Sequence, residues 1–229
     1  MSGGSLSRQR MLRRWHRRVA AVTSVQLLLW TLSGLYFAFI DIDYVRGHQF
    51  KLPATQSEIN LADFSVPSIL ANQLVFVERR AGEMVLAVHS AEGIQWLNKE
   101  GEALEPLTEQ DALALAAART VMSPDSAEWI DQNVAGSEYR GAPLPLWRLW
   151  DSANPDRVAY MDALSGQVVA VRHEAWRWWD FLWSLHIMSY GDRDTIGTLL
   201  LKLFSVLALG TAVLGLWLLI YTRRVTRSQ

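Results

Sequence analysis

VAAVTSVQLLLWTLSGLYFAFI, residues 19–40, runs for 22 residues without a charge. As a helix rising about 1.5 Å per residue it is roughly 33 Å long. The hydrocarbon core of a bilayer takes about 20 apolar residues of helix. A second run, Leu203 to Tyr221, adds 19 uncharged residues. Both exceed what a buried helix of a soluble core needs, so the pair reads as two transmembrane helices. A cleaved signal peptide fits the first run poorly. It is longer than the usual apolar region of about 7–15 residues, and it ends YFAFIDID without a small-residue cleavage site. It reads as a retained anchor.

Charge orders the rest of the chain around these two runs. A formal net charge of −1 over 229 residues hides a strong segregation. All 23 acidic residues lie between Asp41 and Asp194, among only 12 of the 22 basic ones, so that segment carries a net −11. Arg8, Arg10, Arg13, Arg14, Arg17 and Arg18 precede the first run, and Arg223, Arg224 and Arg227 follow the second. Positive flanks stay in the cytoplasm. Both termini are therefore expected there, with the acidic middle periplasmic and the chain in a bacterial inner membrane. The boundaries expected are a basic N-terminus at 1–18, a span at 19–40 and a periplasmic domain at 41–173. A Trp-rich interfacial helix at 174–190, a span at 195–222 and a basic tail at 223–229 complete the order. Because topology accounts for the arginines, the bilayer is the expected partner and nucleic acid is not.

The chain contains no cysteine. That excludes thiol exchange, Cys-ligated iron–sulfur clusters and covalent c-type haem. A redox cofactor would have to be held non-covalently or by histidine. The periplasmic segment must also be held by its own core.

Within that segment residues 50–73 read as a connector with a short helix. LVFVER (74–79), a turn at Ala81-Gly82 and MVLAVHS (84–90) form a hairpin pattern, followed by IQWLN (94–98). Thr108 before EQDALALAAART supplies a hydroxyl cap, acids in the first turn and five alanines, which specify a helix. A second short helix is expected at Ser126–Val134, capped by Asp125 or Ser126. LWRLWD (146–151), RVAYMDA (157–163) and QVVAVR (167–172) close the segment as strands. The layout is α+β, one helix covering an antiparallel sheet.

EAWRWWDFLWSLH (174–186) comes next. On a helix Trp176, Trp179, Trp183 and His186 form one stripe, and Arg177, Asp180 and Ser184 form a narrow polar one with an Arg177–Asp180 pair. Tryptophans prefer the headgroup level, so the helix is read as interfacial. In the second span, Thr211-x-x-x-Gly215 has the small-residue spacing that lets helices approach closely, either the first span or a partner.

Three stretches carry a family resemblance. YMDALSGQVVAV places Asp162, Ser165 and Gly166 as in the last hairpin of a PepSY domain. WHRRVAAVTSVQLLLWTLSGLYFAFIDID resembles the first helix of PepSY-associated transmembrane proteins, with His16, Ser33, Gly34, Phe39, Asp41 and Asp43 matching. Leu185, His186, Gly210, Thr211, Gly215, Leu216 and Trp217 fit the pattern of that family's last helix. The resemblance implies two transmembrane helices flanking a periplasmic PepSY-like domain. Its members include siderophore-iron reductases and haem-linked electron carriers, although the reductase type has four or more spans where this chain has two. By resemblance the chain is expected to be a component of a membrane electron-transfer or iron (siderophore) reduction and uptake system. Any enzymatic role would then be that of an oxidoreductase subunit rather than a hydrolase.

No nucleophile elbow, zinc-protease helix, P-loop or dinucleotide fingerprint is present, and no catalytic residue is assigned. Five histidines remain: His16, His48, His89, His173 and His186. The resemblance singles out His16 and His186 as metal or haem b ligands. His16 precedes the first span and His186 the second, so the two lie at opposite membrane faces and cannot share one iron within a chain. His48 is the companion at the depth of His186. Otherwise each histidine completes its site with another subunit, which implies a membrane or periplasmic protein partner or a homo-oligomer. His89 and His173 read as half-buried or surface side chains. The competing reading is a non-catalytic anchored PepSY module that binds, inhibits or helps assemble an envelope partner and holds no cofactor.

Overall fold

The computed structural model describes residues 3–53, 58–66 and 70–227. The chain divides into two units, Asp41–Trp178 and the pair of segments Met1–Ile40 and Trp179–Gln229.

The second of these is helical. Helix α1 runs unbroken over Gly3–Phe39, and a final helix covers Leu199–Arg227. Each contains a window long and apolar enough to cross a membrane, Arg13–Phe39 and Leu199–Trp217. Hardly any of the first window and none of the second is buried within the protein. Their outward residues are apolar: Val22, Val25, Leu28, Leu32 and Leu35 on the first helix, Leu203, Val206, Leu209 and Val213 on the last. The buried positions of α1 are polar instead, with Thr23 and Ser33 both 1 % exposed and Gln26 9 %. The two helices meet along this polar side. Thr23 Oγ1 lies 3.4 Å from Thr211 Oγ1. The His16 ring fills the notch over Gly215, where a Cβ would stand 3.7 Å from it. The Thr211–Gly215 spacing thus serves contact between the two long helices.

The other unit, Asp41–Trp178, opens with a short helix α2 (Ile42–Val45), capped by the Asp41 carboxylate, and a helical turn at His48–Phe50. A further turn lies at Leu61–Asp63; residues 54–57 and 67–69 of the expected connector lie outside the described ones. Strands β1 (Gln73–Arg80), β2 (Glu83–Ser90) and β3 (Gly93–Leu97) form an antiparallel meander around Leu86, Val88 and Leu97, packed by Phe64 and Phe76. Helix α3 (Glu109–Arg119) starts where the Thr108 hydroxyl accepts the Asp111 N–H at 3.2 Å. Strands β4 (Ser126–Ile130), β5 (Leu146–Asp151), β6 (Asn154–Asp162) and β7 (Val168–Arg172) make a second antiparallel sheet in that order. Helix α3 lies on this sheet, and Ala112 and Ala116 let it approach Leu149, Met161 and Val171.

The structure corrects two expectations. The strands form two sheets, not one. They are joined by Arg119, whose guanidinium donates to Gly166 O at 2.5 Å, Glu78 O at 2.8 Å and Arg79 O at 3.1 Å. Ser126–Ile130 is a strand, not a helix. The carboxylate that resembles a helix cap, Asp125, accepts from the Ser152 N–H and hydroxyl across the β5–β6 turn. The segment then pairs with β5 through Glu128–Arg148, a 2.8 Å ion pair, and an edge-on Trp129–Trp147 contact at 5.1 Å. Cross-strand pairs of this kind outweigh a weak local helix preference.

The turn before β7 uses the expected chemistry. Asp162 Oδ1 accepts from Leu164 N, Ser165 N and Ser165 Oγ at 2.9, 2.6 and 2.9 Å. Gly166 has φ +68° and sits so close to Arg79 O that a Cβ would stand 3.0 Å from it.

Candidate functional site

Helix α4 (Glu174–Ile187) carries the tryptophans, and the remaining long helix, Leu199–Arg227, is α5. The boundary between the two units passes through α4. In the first part Trp176 packs under two guanidinium groups, Arg172 at 4.3 Å and Arg140 at 5.5 Å. Arg177 pairs with Glu138 at 2.7 Å, and Asp180, 1 % exposed, pairs with Arg193 at 2.6 Å. These two ion pairs replace the Arg177–Asp180 pair expected within the helix. A side chain at i, i+3 offers only a weak interaction, whereas Glu138 and Arg193 reach in from loops that fold back over α4.

In the helical unit the stripe continues as a ladder of rings. Trp179 and Trp183 stack at 5.4 Å and 11°, and Trp183 and His186 lie near-parallel at 6.3 Å and 7°. Phe37 of α1 lies edge-on to His186 at 5.7 Å and 71°. One turn below it, Ser33 Oγ is 2.7 Å from His186 Nδ1, and the Trp30 indole N–H donates to His186 O at 2.7 Å. Nε2 makes no hydrogen bond to any described residue. Ser33 stands seven residues before Ile40, roughly 10 Å along the helix axis. The end of α4 therefore lies alongside the apolar window of α1. Helix α4 stops at Met188, whose φ of +53° breaks the helical turn, while Ser189 N bonds back to Ser184 O at 3.1 Å.

The remaining histidines lie apart from this ladder. His16 is on the same face of α1 as Ser33 but 17 residues earlier, about 26 Å along the axis. It packs against Gly215, and its Nδ1 is buried with no partner among the described residues. His48 is exposed and pairs with Asp43 at 3.1 Å. His173, expected near the surface, is 8 % exposed. Its Nε2 contacts Tyr44 O at 3.0 Å, and Tyr44 and Phe50 meet its ring edge-on, so it clamps α2 to the end of β7. His89 is half-buried in β2 opposite Ile94. Among the described residues no three His, Cys, Asp or Glu side chains converge as a metal site would need.

The Asp41–Trp178 unit has a groove of its own, about 580 Å³, lined by Lys51, Phe76, Glu78, Leu115 and Arg119 among others. Its cations are already engaged: Lys51 Nζ donates to Val168 O at 2.8 Å, and Arg119 holds the three carbonyls described above. Burial, then the nearby Arg172, pulls the Lys51 ammonium below its ordinary value.

Trp30 and Phe37 belong to no motif in the sequence, yet they hold the histidine. A signal for them exists in the spacing, since His16, Thr23, Gln26, Trp30, Ser33 and Phe37 keep to the three-, four- and seven-residue steps of a helix seam.

No family model, curated protein or solved structure matches this chain.

Proposed function

We propose that this chain is a two-span bacterial inner-membrane protein with both termini cytoplasmic and its α+β domain in the periplasm, PepSY-like in character. It serves as a subunit of a membrane electron-transfer or iron-siderophore reduction system. His186 would be the residue that holds a haem b. One observation supports this above the others: His186 is held on α1 through Nδ1 and its carbonyl, while Nε2 is left unused. Metal-bound histidines are oriented in this way, with the second ring nitrogen tied to a neighbouring acceptor.

The residues present supply one ligand, His186. The helical unit has one other histidine, His16, about 26 Å away along α1, so any second ligand would come from a second copy or a partner subunit. His16 would serve a separate site at the cytoplasmic end; His48 is tied to Asp43 and is the weaker candidate. When bound, haem b supplies one-electron transfer. What this chain does is present the imidazole and hold its plane with Trp183 and Phe37.

The test is the absorbance spectrum of full-length protein purified in detergent from haem-replete cells. The expected result is a Soret band that is lost in His186→Ala and kept in His89→Ala. A colourless protein, or a band indifferent to His186, would overturn the reading in favour of a cofactor-free anchored module.

A further inference from the structure

We infer that Ser33 and Trp30 are positioning residues that hold His186 in a single tautomer, with the proton on Nδ1 and the Nε2 lone pair free. The count of hydrogens decides it. A serine hydroxyl has one hydrogen and two lone pairs. Ser33 Oγ lies 2.8 Å from Leu29 O and 2.7 Å from His186 Nδ1. If Nδ1 carries the proton, it donates to Oγ, and the hydroxyl donates on to Leu29 O. Every donor then has an acceptor. If Nε2 carries the proton, the hydroxyl turns to Nδ1, and the Nε2–H faces no acceptor among the described residues. With the ring's open side facing hydrocarbon, as the two-span reading places it, an N–H left without a partner costs more than an idle lone pair. The first arrangement wins.

Trp30 acts on the backbone of the same residue. His186 lies in the last turn of α4, where carbonyls have lost their helical donors. The Trp30 indole N–H takes that carbonyl at 2.7 Å. Ring and backbone of His186 are thus pinned to one turn of α1, residues 30–33. Trp183 lies parallel to the ring, and Phe37 meets it edge-on. A half-turn of the ring would exchange Nδ1 for a carbon at Ser33 and lose the bond.

The functional weight of this tautomer rests on the haem-ligand reading above, because an imidazole binds a metal through an unprotonated nitrogen. The tautomer itself does not depend on that reading. It is tested by nitrogen NMR of the full chain, labelled with ¹⁵N-histidine, in lipid bilayers at neutral to mildly alkaline pH without added cofactor. The His186 signals are assigned by their loss in His186→Gln. The expected spectrum has Nδ1 protonated and Nε2 unprotonated. Ser33→Ala should abolish that preference and bring in the Nε2–H form. Ser33→Thr, which keeps the hydroxyl, should retain it and so controls for misfolding. Trp30→Phe should keep the tautomer but broaden the ring signals. An Nε2–H form in the native protein, or a Ser33→Ala spectrum identical to the native one, would overturn the inference. A native Nδ1–H spectrum from a protein that never binds haem would overturn the proposed function alone.

Discussion

The Asp41–Trp178 unit and the helical unit obey opposite rules of burial. In the first, the side chains hidden most completely include Leu146, Leu149, Met161 and Val171. In the second, α1 hides Thr23, Gln26 and Ser33 while Leu28 and Leu32 face outward. A side chain is buried when the surrounding solvent receives it poorly. Water rejects leucine; hydrocarbon rejects amides and hydroxyls. One unit hides apolar side chains; the other hides polar ones between two helices long and apolar enough to cross a membrane.

Mirrored substitutions test that contrast most severely. Leu149→Gln removes a packed side chain and buries an amide without partners, for a loss of at least about 4 kcal/mol. That is a large share of a domain's usual stability, so most of the α+β fold should be lost, as read by urea unfolding monitored by tryptophan fluorescence. Gln26→Leu performs the reverse exchange in α1. The Gln26 amide nitrogen is buried with no partner among the described residues, so its loss should leave the helix pair unchanged within about 1 kcal/mol or stabilise it. A marked loss of thermal stability in detergent would show that Gln26 has a partner and that the two halves are less opposed than they look.

A smaller effect is expected at the β6–β7 turn. Asp162→Ala removes one acceptor that serves three donors and should cost about 2 kcal/mol, seen as a lower urea midpoint with the slope unchanged. The smallest concerns pH. Burial and then the neighbouring Glu138 push the Tyr160 phenol up to about 12. Its folded value lies above the ordinary one near 10. Its contribution to stability is therefore complete below pH about 10 and is lost as pH rises through about 12. Absorbance at the phenolate band should show one tyrosine titrating last, and Tyr160→Phe should remove that phase.

Much of this architecture is legible in the residues alone. Two uncharged runs, the capped helix at Glu109–Arg119 and the first hairpin each depend on neighbours within a few positions, where periodicity and turn chemistry act directly. Legibility ends where a side chain finds its partner far along the chain. Asp125 looks like a helix cap until Ser152 claims it. Arg177 and Asp180 look like a pair until Glu138 and Arg193 intervene. The candidate site falls between these cases. His186 stands out in the sequence, but its pins lie on α1, 153 residues away at Ser33, where the spacing marks a helix seam without saying what packs on it.

Arg119 has one more consequence. Its guanidinium donates to carbonyls of β1 and of the turn that leads into β7, so the two sheets share one donor group. Separating them would break all of these charge-assisted hydrogen bonds at once. The two sheets should therefore melt in one cooperative step, and neither is expected to survive as an independently folding fragment.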